Sequence, residues 1–252
     1  MPKFAMPLIP ALAKERPVAS SSSGFTLVEL AIVLIIVGLL LSSLVSPLTA
    51  QIDQRNYNET EQQITEIREA LIGFAVTNGR LPRPATSVSD GAENPAACAD
   101  DAACTGFIPW TTLGIKRTDA WNKMVRYSVS PAYANATFSL TTQGSKKIQT
   151  RDNAGAISYL IGSAAACSAS SPCSPAVVYS AGKNNWGVTE DGTALADAST
   201  TNADEDANET ATTLFFSRNQ STVPTGGEFD DIVTWIPPYV LMNRMVSAGK
   251  LP

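Results

Sequence analysis

Phe25 to Ser46 reads FTLVELAIVLIIVGLLLSSLVS, 22 residues in which Glu29 is the single ionisable side chain. As a helix at about 1.5 Å per residue the run is about 33 Å long, enough to cross a hydrocarbon core of about 30 Å. Lys3, Lys14 and Arg16 precede it with one acid, Glu15. That excess of positive charge keeps an N-terminus in the cytoplasm and sends the C-terminal remainder of the chain across the membrane. A cleaved secretory signal also has a basic start and an apolar run. Here no small-x-small site closes the run, the apolar stretch is longer than a signal needs, and helical sequence continues beyond it.

Composition agrees with an exported, non-catalytic chain. The 252 residues hold 18 Lys and Arg against 23 Asp and Glu, a formal charge of −5 that argues against nucleic acid as a partner. Charged residues are 16%, below the roughly 25% of ordinary soluble domains, and the apolar surplus sits in one N-terminal block. The absence of histidine excludes Ser-His-Asp triads, HExxH zinc sites and His-containing zinc fingers. No Gly-x-Ser-x-Gly, Walker or dinucleotide motif is present, so the chain reads as a non-enzyme and a membrane-tethered enzyme is the remote alternative.

An acid at the edge of a membrane span is costly, and Glu29 is either functional or snorkels to the interface. With its neighbours it forms Ser23-Gly24-Phe25-Thr26-Leu27-Val28-Glu29-Leu30, which resembles the class III signal of type IV prepilins and type II secretion pseudopilins. The resemblance implies a cytoplasmic-side prepilin peptidase that cuts between Gly24 and Phe25 and methylates the new N-terminal Phe25. Glu29 then lies five residues into the mature chain, and Gly38 and Pro47 fall where the family commonly loosens its helix. Residues 1–24 are the expected leader, longer than many in the family. The exposed Phe25 amine would be a positive charge at membrane depth, where the Glu29 carboxylate of a neighbouring subunit can neutralise it and set subunit stagger. An acid lying passively at the interface is the plainer alternative.

The helical period persists beyond Pro47. Ile52, Tyr57, Ile64, Ile67, Leu71 and Phe74 recur at steps of about three and four among polar residues, an amphipathic half over 47–79 below a transmembrane half over 25–46. Pro47 predicts a kink or melted turn, and Asn78-Gly79 followed by Leu81-Pro82-Arg83-Pro84 predicts the stop. Residues 80–252 suffice for one globular domain with an antiparallel sheet. Its strand candidates are Val125–Val129, Thr137–Leu140, Lys146–Thr150, Ala156–Ile161 and Ala176–Ser180. One long helix followed by a run of strands is an α+β arrangement, and the resemblance implies the pilin-like version of it.

Three further segments resemble major pseudopilins: Thr118-Asp119-Ala120-Trp121-Asn122 leading into Val125-Arg126-Tyr127, Val178-Tyr179-Ser180-Ala181-Gly182-Lys183-Asn184-Asn185, and Asp230-Asp231-Ile232 with Trp235. In that family the last two hold calcium. Here Asp230 and Asp231 are the candidate ligands, but Lys183 and Asn184 stand where the family loop offers Ala-Asp, and an ammonium would repel the ion. The two aspartates can equally cap a turn, and no cofactor is the first expectation. An insert over about 186–212 carries seven acids and no Lys or Arg between Glu190 and Glu209. It lacks the sixth-position glycine and closing glutamate of an EF-hand, so it reads as a solvated, mobile acidic loop.

The cysteines form two pairs with identical spacers, Cys98–Cys104 and Cys167–Cys173. Export to an oxidising space favours local disulfides over zinc, with a crossed pairing left open. Pro237-Pro238 can start a last helix rich in apolar residues and Gly249 can end it, for packing or for a subunit contact. The expected function is that of a structural pseudopilin or pilin subunit of the bacterial inner membrane, single-pass with a periplasmic C-terminal domain, later drawn into a filament. Its expected partners are prepilin peptidase, other pilin or pseudopilin subunits, the inner-membrane assembly platform and the membrane. A minor pilin with a binding or adhesive tip domain is the alternative.

Overall fold

The computed structural model describes residues 24–222 and 227–252, with side chains at all of these except 42–47. The chain divides into two units, Met1–Ala50 and Gln51–Pro252, and helix α1 (Leu27–Asn78) contributes to both. In the first unit the apolar side chains from Leu27 to Leu41 stand exposed. Among the described residues no helix is long and apolar enough to cross a membrane. The span expected at 25–46 includes side chains outside the described residues, and of the expected leader 1–24 all but Gly24 lies outside them. Position 47 lies inside α1, so of the kink or melted turn expected at Pro47 the melted turn is not present.

In the second unit α1 buries Ile64, Ile67, Leu71, Ile72 and Ala75, a stripe with helical spacing. Removing each of its larger aliphatic side chains from water is worth about 1.5–3 kcal/mol. Tyr57 and Phe74 are only half-buried, and Ile52 is exposed, contrary to the periodic reading. Gly79, at φ +75°, closes the helix by donating its N–H to Ala75 O at 2.7 Å.

The remaining elements are β1 (Thr105–Phe107), α2 (Trp110–Leu113), β2 (Arg126–Val129), α3 (Pro131–Ala134), β3 (Lys147–Arg151), β4 (Ile157–Ile161), β5 (Ala176–Ser180), α4 (Ala203–Thr210), β6 (Leu214–Phe216), β7 (Ile232–Trp235) and α5 (Pro238–Ser247). A four-stranded antiparallel sheet runs β1-β2-β5-β7, and a three-stranded sheet runs β4-β3-β6, with β3 and β6 parallel. Strand β5 is buried at every position, which explains its continuous apolar sequence. Ala176 and Val178 face the core shared with α1, β2 and α5; Val177 and Tyr179 face a second core with Ile148 and Phe215. The protein is thus an α+β, pilin-like arrangement of an N-terminal helix packed on an antiparallel sheet, with a second small sheet on the far face.

Thr137–Leu140 is not a strand. Phe138 is buried against Tyr133, with ring centroids 4.7 Å apart, and Ser139 N–H bonds to the Thr142 hydroxyl in a turn that replaces ladder pairing. In α5, Leu241 and Met245 join the main core while Tyr239, Val240 and Val246 remain exposed. Disulfides join Cys98 to Cys104 and Cys167 to Cys173.

Candidate functional site

The first candidate site is the start of α1. Thr26 Oγ1 accepts the Glu29 N–H at 3.2 Å, and Glu29 Oε2 accepts the Thr26 N–H at 3.0 Å and its hydroxyl at 3.1 Å. This reciprocal arrangement is a capping box, which satisfies helix donors that have no partner within the helix. Thr26-x-x-Glu29 is its sequence signature, so the cap was legible although Glu29 draws attention first as a charge. Gly24 and Phe25 are exposed, and among the described residues nothing lies within 4 Å of where a Gly24 Cβ would sit. The described residues therefore place no demand for glycine at 24.

The second lies at the end of β5, where the three segments of distant sequence meet. Thr60 and Gln63 on α1 hold the first: Gln63 Nε2 donates to Thr118 O at 2.8 Å and Ala120 N–H donates to Thr60 Oγ1 at 3.1 Å. Asp119 then folds the chain back, its Oδ1 accepting the N–H of Trp121 and of Lys123 at 2.9 Å each, while Ser180 Oγ donates to its Oδ2 at 2.5 Å. Burial pushes the Asp119 carboxyl up despite these donors.

This turn aims Lys123 into the loop after β5. Its Nζ donates to the carbonyls of Ala181 at 3.0 Å, Asn184 at 2.6 Å and Asn185 at 2.6 Å, and the residue is 3% exposed. Burial pulls its ammonium down, opposed by the field of Asp230, Asp119, Asp231 and Glu205. Gly182, at φ +56°, is needed because a Cβ there would lie 2.4 Å from Asp230 O. Lys183, which the sequence places in this site, turns away and pairs with Asp53 at 2.6 Å. The loop's ammonium is Lys123, sixty residues earlier in the chain.

Asp230 and Asp231 do come together here, joined by Glu205 from the acidic insert, with carboxylate oxygens within 4.8 Å of one another. Glu205 Oε1 accepts the Asp230 N–H at 2.6 Å, Asp230 Oδ2 accepts the Asn184 N–H at 2.8 Å, and Asp231 Oδ2 accepts Asn208 Nδ2 at 2.8 Å. Burial pushes Asp230 up to about 6, and burial also raises Asp231 and Glu205. The insert is accordingly a solvated loop only in part: residues 191–201 are mostly exposed and lie outside any named helix or strand, and the rest is not. It forms α4, buries Asp204, Glu205 and Asn208, and is held by Arg151 and Arg218 on Asp204. Net charge counts alone cannot register such long-range partners.

A groove of about 1080 Å³ borders this region, lined by polar residues that include Glu61, Arg68, Asp152 and Gln220.

Comparison with known proteins gives a family match: the prokaryotic N-terminal methylation motif fits residues 19–45, across Gly24, Phe25 and Glu29. No curated protein and no solved structure matches the chain.

Proposed function

We propose that this chain, which carries the signal that is the hallmark of type IV pilins and pseudopilins, is a structural filament subunit. It is inserted in the bacterial inner membrane as a single-pass precursor with its N-terminus in the cytoplasm, and prepilin peptidase cuts between Gly24 and Phe25. The N-methylated mature chain then passes through the inner-membrane assembly platform into a filament with other pilin or pseudopilin subunits. The methylation motif over 19–45 carries this reading. Two features support it: no described residue lies close enough to Gly24 to require glycine there, and the apolar side chains from Leu27 to Leu41 stand exposed.

A second reading is favoured by the small sheet and α4, which make the domain larger than a plain core around α1 requires. In that reading the chain is a minor subunit whose domain binds a surface or cargo at the filament tip. Shearing filaments from cells and probing them for this chain tests the proposal. We expect it in the sheared fraction, dependent on an active peptidase, along the filament or confined to the tip. Retention in the membrane with filaments free of the chain overturns both readings.

A further inference from the structure

We infer that the Lys123 ammonium is the built-in cation of the 181–185 loop, holding by hydrogen bonds the carbonyls that would otherwise call for a bound metal ion. An ammonium has three donors, and this one meets three backbone acceptors at 2.6–3.0 Å. The loop therefore leaves no Lys123 donor over. Its stem is packed as closely as its head: a Cβ at Gly187 would lie 2.9 Å from Lys123 Cδ.

The loop pays for this arrangement in its backbone, because Asn185 and Trp186 take φ of +37° and +36°, a region that side chains other than glycine seldom adopt. Carbonyls so converged repel one another unless a positive charge sits among them. Lys123 supplies that charge, and Asp119, Asp230, Asp231 and Glu205 supply the field that keeps it there. Calcium would want roughly 6–8 oxygens at about 2.3–2.6 Å. Any ion that close to the Asn184 and Asn185 carbonyls would stand against the ammonium, so with Lys123 in place these loop carbonyls do not fit a metal. Glu205 Oε1, Asp230 Oδ2 and Asp231 Oδ2 each accept an N–H of the protein itself, whereas Asp230 Oδ1 is buried with no hydrogen-bond partner among the described residues.

The test uses the full-length protein in detergent, with unfolding followed by tryptophan fluorescence in chelator and in excess calcium chloride. The wild type should melt at the same temperature in both. Amine acetylation of the native protein, read by mass spectrometry, should spare Lys123 while modifying the exposed Lys250. Lys123→Ala opens the cage, so its lowered midpoint in chelator should be recovered by calcium; Lys123→Met fills the space without charge, so its loss should not. A wild-type midpoint that rises with calcium, or Lys123 acetylated as readily as Lys250, overturns the inference. So does a folded Lys123→Ala that ignores calcium. Should neither variant fold, the two wild-type measurements decide it, and none of these readouts depends on filament assembly.

Discussion

Arg151 Nη2 donates to Asp204 Oδ1 across 2.7 Å and so ties the acidic insert to β3. Arg218 approaches the other oxygen of the same carboxylate at 2.8 Å, and the Asp204 side chain is 1% exposed. Removing that carboxylate leaves two guanidiniums facing each other over a buried surface. Asp204→Ala should therefore cost about 3–5 kcal/mol, seen as a lower urea midpoint with faster amide exchange over 203–210. An unchanged midpoint would mean that the ion pairs do not hold the insert.

How local a signal is decides whether the sequence makes it legible. The stripe at Ile64, Ile67 and Leu71, the buried run of β5 and the Pro238 start of α5 all depend on near neighbours, and they read correctly. Strands β1 and β6 are three residues each and are defined by pairing with distant partners, which leaves no period to count. Lys183 drew the charge argument because it sits in the loop, whereas Lys123 reaches that loop only through the Asp119 turn. The capping box at Thr26 and Glu29 is a local i, i+3 signal that coincides with the charge of Glu29, so one residue carries two readings.

The two disulfides should differ in worth. By loop entropy each contributes about 2 kcal/mol, but Cys98 and Cys104 both lie in the main core at 5% and 0% exposure, while in the second pair Cys173 is buried outside that core and Cys167 is half-buried. Replacing Cys98 and Cys104 together by serine also buries hydroxyls, at about 1–3 kcal/mol for each left without a partner. Denaturant unfolding of the two double variants should show the larger loss at Cys98 and Cys104. Equal losses would contradict that ranking.

Alkaline stability should depend on buried phenols. Burial raises the Tyr133 hydroxyl from 10.0 to about 12 and raises Tyr127 and Tyr179 as well. A group whose pKa is higher folded than unfolded contributes stability that is whole below the unfolded value and is lost as pH rises through the folded one. Stability should thus fall between about pH 10 and 12. Tyr133→Phe loses the hydrogen bond to Thr142 O at 2.7 Å, and should be less stable at neutral pH with a shallower alkaline decline. Unfolding curves across this range check the slope, and a slope identical to wild type would count against the assignment.

Glu29 has two separable roles, and two substitutions divide them. Glu29→Gln keeps a capping acceptor but removes the charge; Glu29→Val removes both. Each should ease membrane insertion, because each deletes a costly carboxylate. If the charge neutralises the Phe25 amine of a neighbour, both variants should be cut normally yet yield few sheared filaments. Normal filaments from Glu29→Gln and few from Glu29→Val would assign the residue to helix capping instead.

The central claim, that the chain is processed at its methylation motif before assembly, is met most directly by the intact mass of the protein recovered from cells. The account predicts a mature chain that begins at Phe25 and carries one added methyl group, with the leader retained in Gly24→Ala or a bulkier variant at 24. A wild-type chain that keeps its leader, or that begins at any residue other than Phe25, would contradict it.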